Sequence, residues 1–346
     1  MKIKKAGLVG LFLFAIILLS AQLALPQSSR IVTETIMVPA SDPGIQLHVR
    51  NKHPEGVLTF GSDRIVLFVH GATYCAEAGY DLPLNNISWM DYVAQRGWDV
   101  YIMDVRGYGR STRPSEMSKP AAENPPIVNT GVAVKDVGSV VDHILARRRV
   151  QRLNLLGHSW GTAIMGTYTV ANNAKVERLV LYGPMWLIKD AQPMPTNTFG
   201  AYRTVTKEEA KKRMVRGIPP ERQKEVLPDD WFDAWWEVAV KPDPVGAGQN
   251  PPVVRAPNGV REDQRKYWRV GKPCYDPTNI TVPTLLIMGE WDADTRPYMA
   301  QELFPNLKNT RIKRMVMVGE GTHWMYVEKN RLQLFREVQL FLEEPR

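Results

Sequence analysis

The sequence predicts an α/β fold, with a mostly parallel, doubly wound sheet and a largely helical insertion. Three observations support this: short apolar runs alternate with helical patterns, the alternation stops once, and it then resumes. With 346 residues, of which 44% are hydrophobic and 23% are charged, the chain has enough apolar material for a full core. We therefore expect one large globular domain that carries an insertion.

Six short runs have the β-branched and apolar composition of buried parallel strands. They cover residues 64–71, 98–104, 153–158, 176–184, 282–290 and 312–321. Helical apolar spacing appears in "MDYVAQRG", "VAVKDVGSVVDHILARRR" and "NRLQLFREVQLFLEE". Upstream, "IVTETIMVPA" and "IQLHVRN" favour an antiparallel hairpin at the sheet edge. This order indicates a parallel sheet covered by helices on both faces.

The alternation stops at 185–279, which divides the core into a first part at 31–184 and a second part at 280–346. A segment of this length inside a compact domain indicates structure of its own, so we predict a helical insertion. Within it, four aromatic residues fall on one broad helix face: Trp231, Phe232, Trp235 and Trp236. This face either packs the insertion onto the core or lines a pocket, where Trp231 and Trp235 would contact substrate.

Residues 1–25 have the layout of an export signal. Lys2, Lys4 and Lys5 precede an apolar run from Ala6 to about Leu19. No clean cleavage site follows the run. If the run is extended to residues 6–25, it is long enough for a membrane anchor. We favour a cleaved signal peptide over a retained anchor that would associate the protein with the membrane. In both cases the rest of the chain is exported to the periplasm or the medium.

Charge and cysteine content exclude some function classes. The formal charge of +8 is spread along the chain without a nucleic-acid motif, so we do not expect nucleic-acid binding. No cluster of cysteine or histidine suggests a metal site, and no organic cofactor is implied. Export would permit Cys75 and Cys274 to pair, but they are far apart in the chain and we expect free thiols.

The segment "LNLLGHSWGT", residues 153–162, contains a candidate nucleophile. Its G-x-S-x-G pattern lies between a predicted strand and a predicted helix. Gly157 and Gly161 have no Cβ, so the chain can turn sharply and hold Ser159 in a strained backbone above the sheet. A serine hydroxyl is a weak nucleophile, so this hypothesis requires a histidine to accept its proton.

Five of the six histidines have an ordinary structural explanation: His48, His53, His70, His143 and His158. His48 and His53 lie in the hairpin region. His70 closes a predicted strand, and His143 falls in a predicted helix. The ring of His158, next to Ser159 in the chain, should point away from the serine. His323 lies in a glycine-rich loop after the last predicted strand. Open α/β sheets place their chemistry at such loops, so His323 is the predicted base.

A carboxylate is needed to orient the base, and two backbone N–H groups are needed for an oxyanion. Asp292 and Asp294 both follow a predicted strand and point in similar directions if extended. We favour Asp292, because Asp294 is closer to the next helix and better placed to cap it. Trp160 and Ala72 are the candidate N–H donors, and Tyr74 either borders the same cavity or packs.

Taken together, these residues resemble the α/β-hydrolase family from about Ile31 onward. The order Ser159, Asp292, His323 matches the family's order of nucleophile, acid and histidine. "HGAT" resembles its oxyanion loop, "DVRGYGRS" a loop of many members, and "GEWDADT" its acid motif. The resemblance implies that 185–279 is a cap over the active site, and the serine argues against the epoxide hydrolases and haloalkane dehalogenases of this fold. Trp160 is bulkier than the residue at this position in many esterases.

We therefore expect an exported serine hydrolase that cleaves a small-molecule carboxylic ester through an acyl-enzyme. The same triad would also suit a proline-type aminopeptidase, which acts on amides, a lactonase or a hydrolase of C–C bonds. An aminopeptidase needs acidic residues in the insertion to bind the substrate amine. The candidates are Glu208, Glu209, Glu221, Glu225, Asp229, Asp230 and Asp233. A ligand-binding protein that has lost the chemistry is the alternative from another class.

Overall fold

The computed structural model describes residues 30–192, 194–195 and 199–345, so the predicted export signal lies outside the described residues. Ten strands are described: β1 (Ile31–Pro39), β2 (Gln46–Pro54), β3 (Ile65–Val69), β4 (Asp99–Met103), β5 (Leu153–His158), β6 (Val176–Tyr182), β7 (Tyr202–Val205), β8 (Val254–Pro257), β9 (Thr284–Gly289) and β10 (Lys313–Val318). All strands except β7 and β8 belong to one sheet, in the order β1–β2–β4–β3–β5–β6–β9–β10.

The central sheet is mostly parallel, as predicted. β1 and β2 form the expected antiparallel edge hairpin, and β2 is also antiparallel to β4. The other neighbours, from β4 through β3, β5, β6 and β9 to β10, are all parallel. β3, β4, β5 and β6 are buried along their whole length, which explains their continuous apolar runs.

Helices cover both faces of the sheet, which confirms the doubly wound fold. The helices are α1 (Ala76–Tyr80), α2 (Trp89–Ala94), α3 (Thr130–Arg148), α4 (Trp160–Asn172), α5 (Lys207–Met214), α6 (Gln223–Val226), α7 (Asp229–Val240), α8 (Pro244–Ala247), α9 (Gly259–Lys266), α10 (Pro297–Asn306) and α11 (Arg331–Glu343). One buried core joins the sheet to α3, α4 and α10, and a second joins it to α1, α2, α7 and α11. Among the described helices, none combines the length and apolarity needed to cross a membrane.

The segment between β6 and β9 contains five helices, α5 to α9, and the antiparallel pair β7–β8. The small sheet was not predicted, because each of its strands has only four residues. The aromatic face of α7 exists as predicted and is buried. Its helix packs against α1 of the core, which ties the insertion to the chain near the predicted oxyanion loop. Cys75 and Cys274 are both free thiols.

Candidate active site

Ser159 lies in a tight turn between β5 and α4. Its φ of 56° and ψ of −119° are strained for a residue with a side chain. The turn depends on its two glycines, because a Cβ on Gly157 would lie 2.2 Å from the carbonyl oxygen of Gly161. A Cβ on Gly161 would lie 2.6 Å from the carbonyl oxygen of Val69. The strand-to-helix turn therefore packs directly against the end of β3 and holds Ser159 above the sheet.

His323 and Asp292 form a buried pair at the ends of β10 and β9. The Nδ1 atom of His323 is 2.8 Å from Oδ2 of Asp292, and both side chains are almost wholly buried. Asp292 Oδ1 accepts the backbone N–H groups of Asp294 and Thr295, at 2.9 and 2.7 Å. The hydroxyl of Thr295 donates to Asp292 Oδ2 at 2.8 Å. These donors fix the carboxylate in front of the imidazole, and Thr295 is a contact that the sequence did not indicate.

Ser159 and His323 line one small cavity at this end of the sheet. The Nε2 atom of His323 is buried and has no hydrogen-bond partner among the residues that the structure describes. It therefore does not bond to Ser159 Oγ, and catalytic hydrogen bonds of this kind are often long before substrate binds. The carboxylate of Asp292 thus orients the imidazole from the Nδ1 side, and the buried Nε2 atom faces the cavity side without a described partner.

His158 supports the loop that carries His323. Its Nε2 atom is 3.0 Å from the backbone carbonyl of His323, and its ring stacks on Tyr182 at a centroid distance of 4.5 Å. Burial lowers the pKa of His158 well below its ordinary value, so the ring is neutral and its Nε2–H donates to that carbonyl. His70 is also structural, because its Nε2 accepts the backbone N–H of Val105 at 3.1 Å.

Asp294 has a different environment from Asp292. Its carboxylate is 3.2 Å from Nε of Arg213 and also pairs with Arg216, both on the insertion side. The residue at the N-cap of α10 is Arg296, and no side chain caps that helix, so the expected capping role of Asp294 is wrong. The structure brings Asp292 to the imidazole and Asp294 to the arginines.

The two candidate N–H donors, Ala72 and Trp160, line a larger cavity together with Ser159. The loop of Ala72 approaches the serine closely, since a Cβ on Gly71 would lie 2.9 Å from the Cβ of Ser159. Trp160 is the first residue of α4, where backbone N–H groups have no partner within the helix. Its indole is fully buried and donates to the hydroxyl of Thr130 at 2.9 Å.

This larger cavity has a volume of about 400 Å³ and is walled by the core on one side and by the insertion on the other. The insertion contributes residues from three of its elements: Arg203, Thr204, Val205, Glu209, Arg213, Val260, Arg261 and Gln264. The insertion therefore lies over Ser159 and shapes the space that a substrate would fill.

Of the three aromatic residues predicted to contact substrate, one lines the cavities and two do not. Tyr74 lines both cavities, is buried, and has a pKa that burial raises to about 12. Trp235 is not on either cavity wall, because Tyr74 packs edge-on against it at 4.6 Å and it is fully buried. Trp231 instead packs under Lys329 and Arg331, with their charged groups 4.5 and 4.4 Å from its ring. Trp231 and Trp235 thus pack the insertion onto the core and do not contact the cavity.

A sequence model described as the alpha/beta hydrolase fold matches residues 64–330. The chain belongs to this family. None of the curated proteins matches the sequence closely enough to count as a relative. Within the described residues, no group of three or more histidine, cysteine, aspartate or glutamate side chains could hold a metal ion.

Solved structures share the fold at low sequence identity. An esterase from Exiguobacterium antarcticum has 16% identity and a TM-score of 0.59, covering 90% of this chain and 100% of its own. A thermophilic esterase from Thermogutta terrifontis has 14% identity and a TM-score of 0.56, and the match covers 89% of this chain and 98% of the esterase. A hydrolase from Pseudomonas aeruginosa has 17% identity and a TM-score of 0.60, and the match covers 90% of this chain and 99% of the hydrolase. These neighbours share the fold of the family to which the chain belongs.

Glu328 is a buried carboxyl behind the predicted base. It accepts the backbone N–H of Thr322 at 3.1 Å and also the hydroxyl of Thr322, next to His323 in the chain. Burial raises the pKa of Glu328 to about 8, the two hydrogen bonds oppose this, and the charge of Asp292 adds to it. The folded protein therefore keeps a proton on Glu328 at neutral pH.

This proton makes stability depend on pH. The pKa of Glu328 is higher in the folded chain than its ordinary value of 4.5, so its contribution to stability is lost as the pH rises through about 8. Glu328→Gln keeps the shape and removes the titration. Between about pH 5 and about pH 9, the Tm of the wild type should fall relative to that of Glu328→Gln by roughly 2–5 °C. Thermal denaturation of both proteins across this range tests the shift, and a constant Tm difference would contradict it.

Proposed function

We propose that the protein is an exported serine hydrolase that cleaves carboxylic esters, with Ser159, His323 and Asp292 as its triad. The observation that carries the proposal is the 2.8 Å contact between Asp292 and Nδ1 of His323, with the opposite nitrogen buried and without a partner among the described residues. The strained turn directs Ser159 to the cavity that this nitrogen also borders.

The proposed reaction begins when Ser159 Oγ attacks the ester carbonyl carbon and its proton passes to Nε2 of His323. Asp292 stabilises the imidazolium that forms, because its carboxylate is held in front of Nδ1. The C–O bond to the alcohol then breaks, and the departing oxygen takes the proton from His323. Water attacks the acyl-enzyme in the same way, releasing the acid and restoring the serine.

The tetrahedral intermediates carry a negative oxygen that needs two donors. We assign them to the backbone N–H groups of Ala72 and Trp160. Trp160 starts α4, so its N–H also benefits from the positive end of the helix dipole. The close approach of Gly71 to Ser159 supports the assignment of Ala72, because it brings that loop to the nucleophile.

Ser159→Ala should reduce kcat for p-nitrophenyl butyrate by at least ~10³-fold, because it removes the proposed nucleophile. The measurement is release of p-nitrophenol by the purified protein, with labelling by a fluorophosphonate probe as a second readout. Ser115→Ala is the matched control, since Ser115 is exposed and distant in the chain. Hydrolysis that survives Ser159→Ala unchanged would show that the nucleophile assignment is wrong.

Asp292→Asn and Asp294→Asn separate the two candidate acids. Asp292→Asn should lower kcat by ~10²- to 10⁴-fold, because it removes the charge that orients and stabilises the imidazolium. Asp294→Asn breaks ion pairs to Arg213 and Arg216, so we expect a smaller loss, mainly in KM. Steady-state kinetics on the same ester measure both. A larger kcat loss in Asp294→Asn would reverse the assignment.

The aminopeptidase alternative has little support on the cavity wall. Of the seven acidic residues considered for it, Glu209 alone lines the larger cavity described above. Three others are paired with basic neighbours: Glu225 with Arg222, Asp229 with Lys211, and Asp233 with Lys207. The described part of the wall therefore lacks an acidic cluster for a substrate amine, and we retain the ester assignment.

The proposed export rests on the lysines and the apolar run of residues 1–25. Expressed at full length in a bacterial host, the protein should be recovered outside the cytoplasm. Mass spectrometry of its N-terminus distinguishes the two forms, since cleavage yields a shortened soluble chain and an anchor leaves the full chain in the membrane fraction. A full-length protein in the cytoplasmic fraction would contradict export.

A further inference from the structure

The cavity over Ser159 has an excess of positive charge on its wall. Its charged lining residues are Arg203, Arg213, Arg261, Glu209 and Asp294. Asp294 is already paired with Arg213 and with a further arginine, Arg216. Glu209 lies at the edge of α5, where its carboxylate accepts the backbone N–H of Thr206 at 2.8 Å. Two arginines of the wall, Arg203 and Arg261, remain without a carboxylate partner among the described residues.

Arg203 and Arg261 form no ion pair with any residue in the described part of the chain. Arg203 is half-buried between β7 and the core. A guanidinium removed from water without a counter-ion is costly, so such a group is usually completed by a ligand or a structural partner. The hydrogen-bond partners of Arg203 in the described part of the chain are all neutral.

The hydrogen bonds of Arg203 to the described residues use three of its five N–H donors. Nη1 donates to the carbonyl of Pro257 at 2.7 Å and to the side chain of Asn258 at 3.2 Å, and Nη2 donates to the hydroxyl of Thr73 at 2.5 Å. Of the five N–H donors of an arginine, those on Nε and on the second position of Nη2 have no partner among the described residues. Nε and Nη2 lie on the same side of the guanidinium, and through this pair of nitrogens an arginine can bind both oxygens of a carboxylate.

The electrostatics of the cavity also favour an anion. Burial lowers the pKa of Arg203 to about 10, and the positive charges of Arg261 and Arg213 act in the same direction. Burial and Arg213 likewise lower the pKa of Arg261. The three guanidinium groups are thus close enough to repel one another, and a bound negative charge would relieve that repulsion.

Arg203 borders the cavity that also contains Ser159. Its partner Thr73 has a φ of 95° and follows Ala72, the proposed oxyanion donor, directly in the chain. Arg203 and Ser159 line the same cavity. A cavity of about 400 Å³ is small enough for one molecule to reach both Arg203 and Ser159.

We propose that the substrate is an ester that also carries a carboxylate, which Arg203 binds through two parallel hydrogen bonds and Arg261 attracts by its charge. This inference rests on the proposed hydrolysis by Ser159 and specifies the class of substrate. No change in the catalytic steps is required, because the carboxylate takes part only in binding.

A pair of esters of equal acyl length tests the proposal: mono-p-nitrophenyl adipate, which is anionic, and p-nitrophenyl hexanoate, which is neutral. In the wild type, kcat/KM should favour the anionic ester. In Arg203→Met the ratio of anionic to neutral kcat/KM should fall by at least ~10-fold, the size expected for hydrogen bonds to a charged group. Arg261→Met should lower it by about 3-fold, since a charge without direct contact contributes less.

Arg265→Met is the matched control, because Arg265 lies in the same helix as Arg261, pairs with Glu262 and is not on the cavity wall. Its ratio should equal that of the wild type. Arg203→Lys is a second variant in case Arg203→Met does not fold. It keeps the positive charge but loses the parallel pair of donors, so its ratio of anionic to neutral kcat/KM should be intermediate. An unchanged ratio in folded Arg203→Met, or in Arg203→Lys if Met does not fold, would overturn the proposal.

A binding experiment separates failure of this inference from failure of the proposed function. Ser159→Ala should bind monoethyl adipate more tightly than diethyl adipate by calorimetry, and adding Arg203→Met should weaken the monoester by at least ~10-fold. Binding of this kind without hydrolysis by the wild type would refute the esterase proposal and leave the anion site standing. Hydrolysis of the neutral ester through Ser159, with equal binding of the two adipates, would refute the anion site alone.

Discussion

The candidate site depends on the close packing of the turn after β5 against the end of β3. Gly161 lies so near the carbonyl of Val69 that a Cβ would approach it to 2.6 Å. This contact places Ser159 beside the loop that follows β3 and fixes the serine in a backbone conformation that few side chains adopt. The strain is sustained because β5 is paired with β3 on one side and β6 on the other, so the buried strands around the turn cannot shift independently.

A second close contact assembles the acid and the base. A Cβ on Gly289, at the end of β9, would lie 2.1 Å from the carbonyl of Gly321, in the loop after β10. β9 and β10 are parallel and in register, so the loops at their ends emerge side by side, and Asp292 meets His323 there. Residues that are 31 apart in the chain are thus brought together by sheet geometry, with local hydrogen bonds from Thr295 completing the orientation.

The sequence predicted those parts of the molecule that have a local signature. Buried strands, the glycine-flanked turn at Ser159 and the loop of His323 each follow from neighbouring residues, and the structure contains all six predicted core strands. Arg203 has no such signature, because its partner Thr73 is 130 residues away. The spacing of the aromatic residues in α7 predicted that one helix face is buried. Spacing does not say which surface covers that face. The sequence therefore could not decide whether Trp235 lines the cavity or packs against the core. The pair β7–β8 was too short to stand out from the irregular segment around it.

The insertion is fastened to the core by polar contacts that surround the cavity. On one side, Arg213 pairs with Asp294, two residues beyond Asp292. On the other, buried Asp263 of α9 accepts both the hydroxyl and the backbone N–H of Thr130, whose oxygen in turn accepts the indole N–H of Trp160. The first contact joins the insertion to the loop of Asp292, and the second joins it to the start of α3, where Thr130 also holds Trp160 at the start of α4. Movement of the insertion would therefore disturb the acid loop and the start of α4, which couples the shape of the substrate pocket to the geometry of the chemistry.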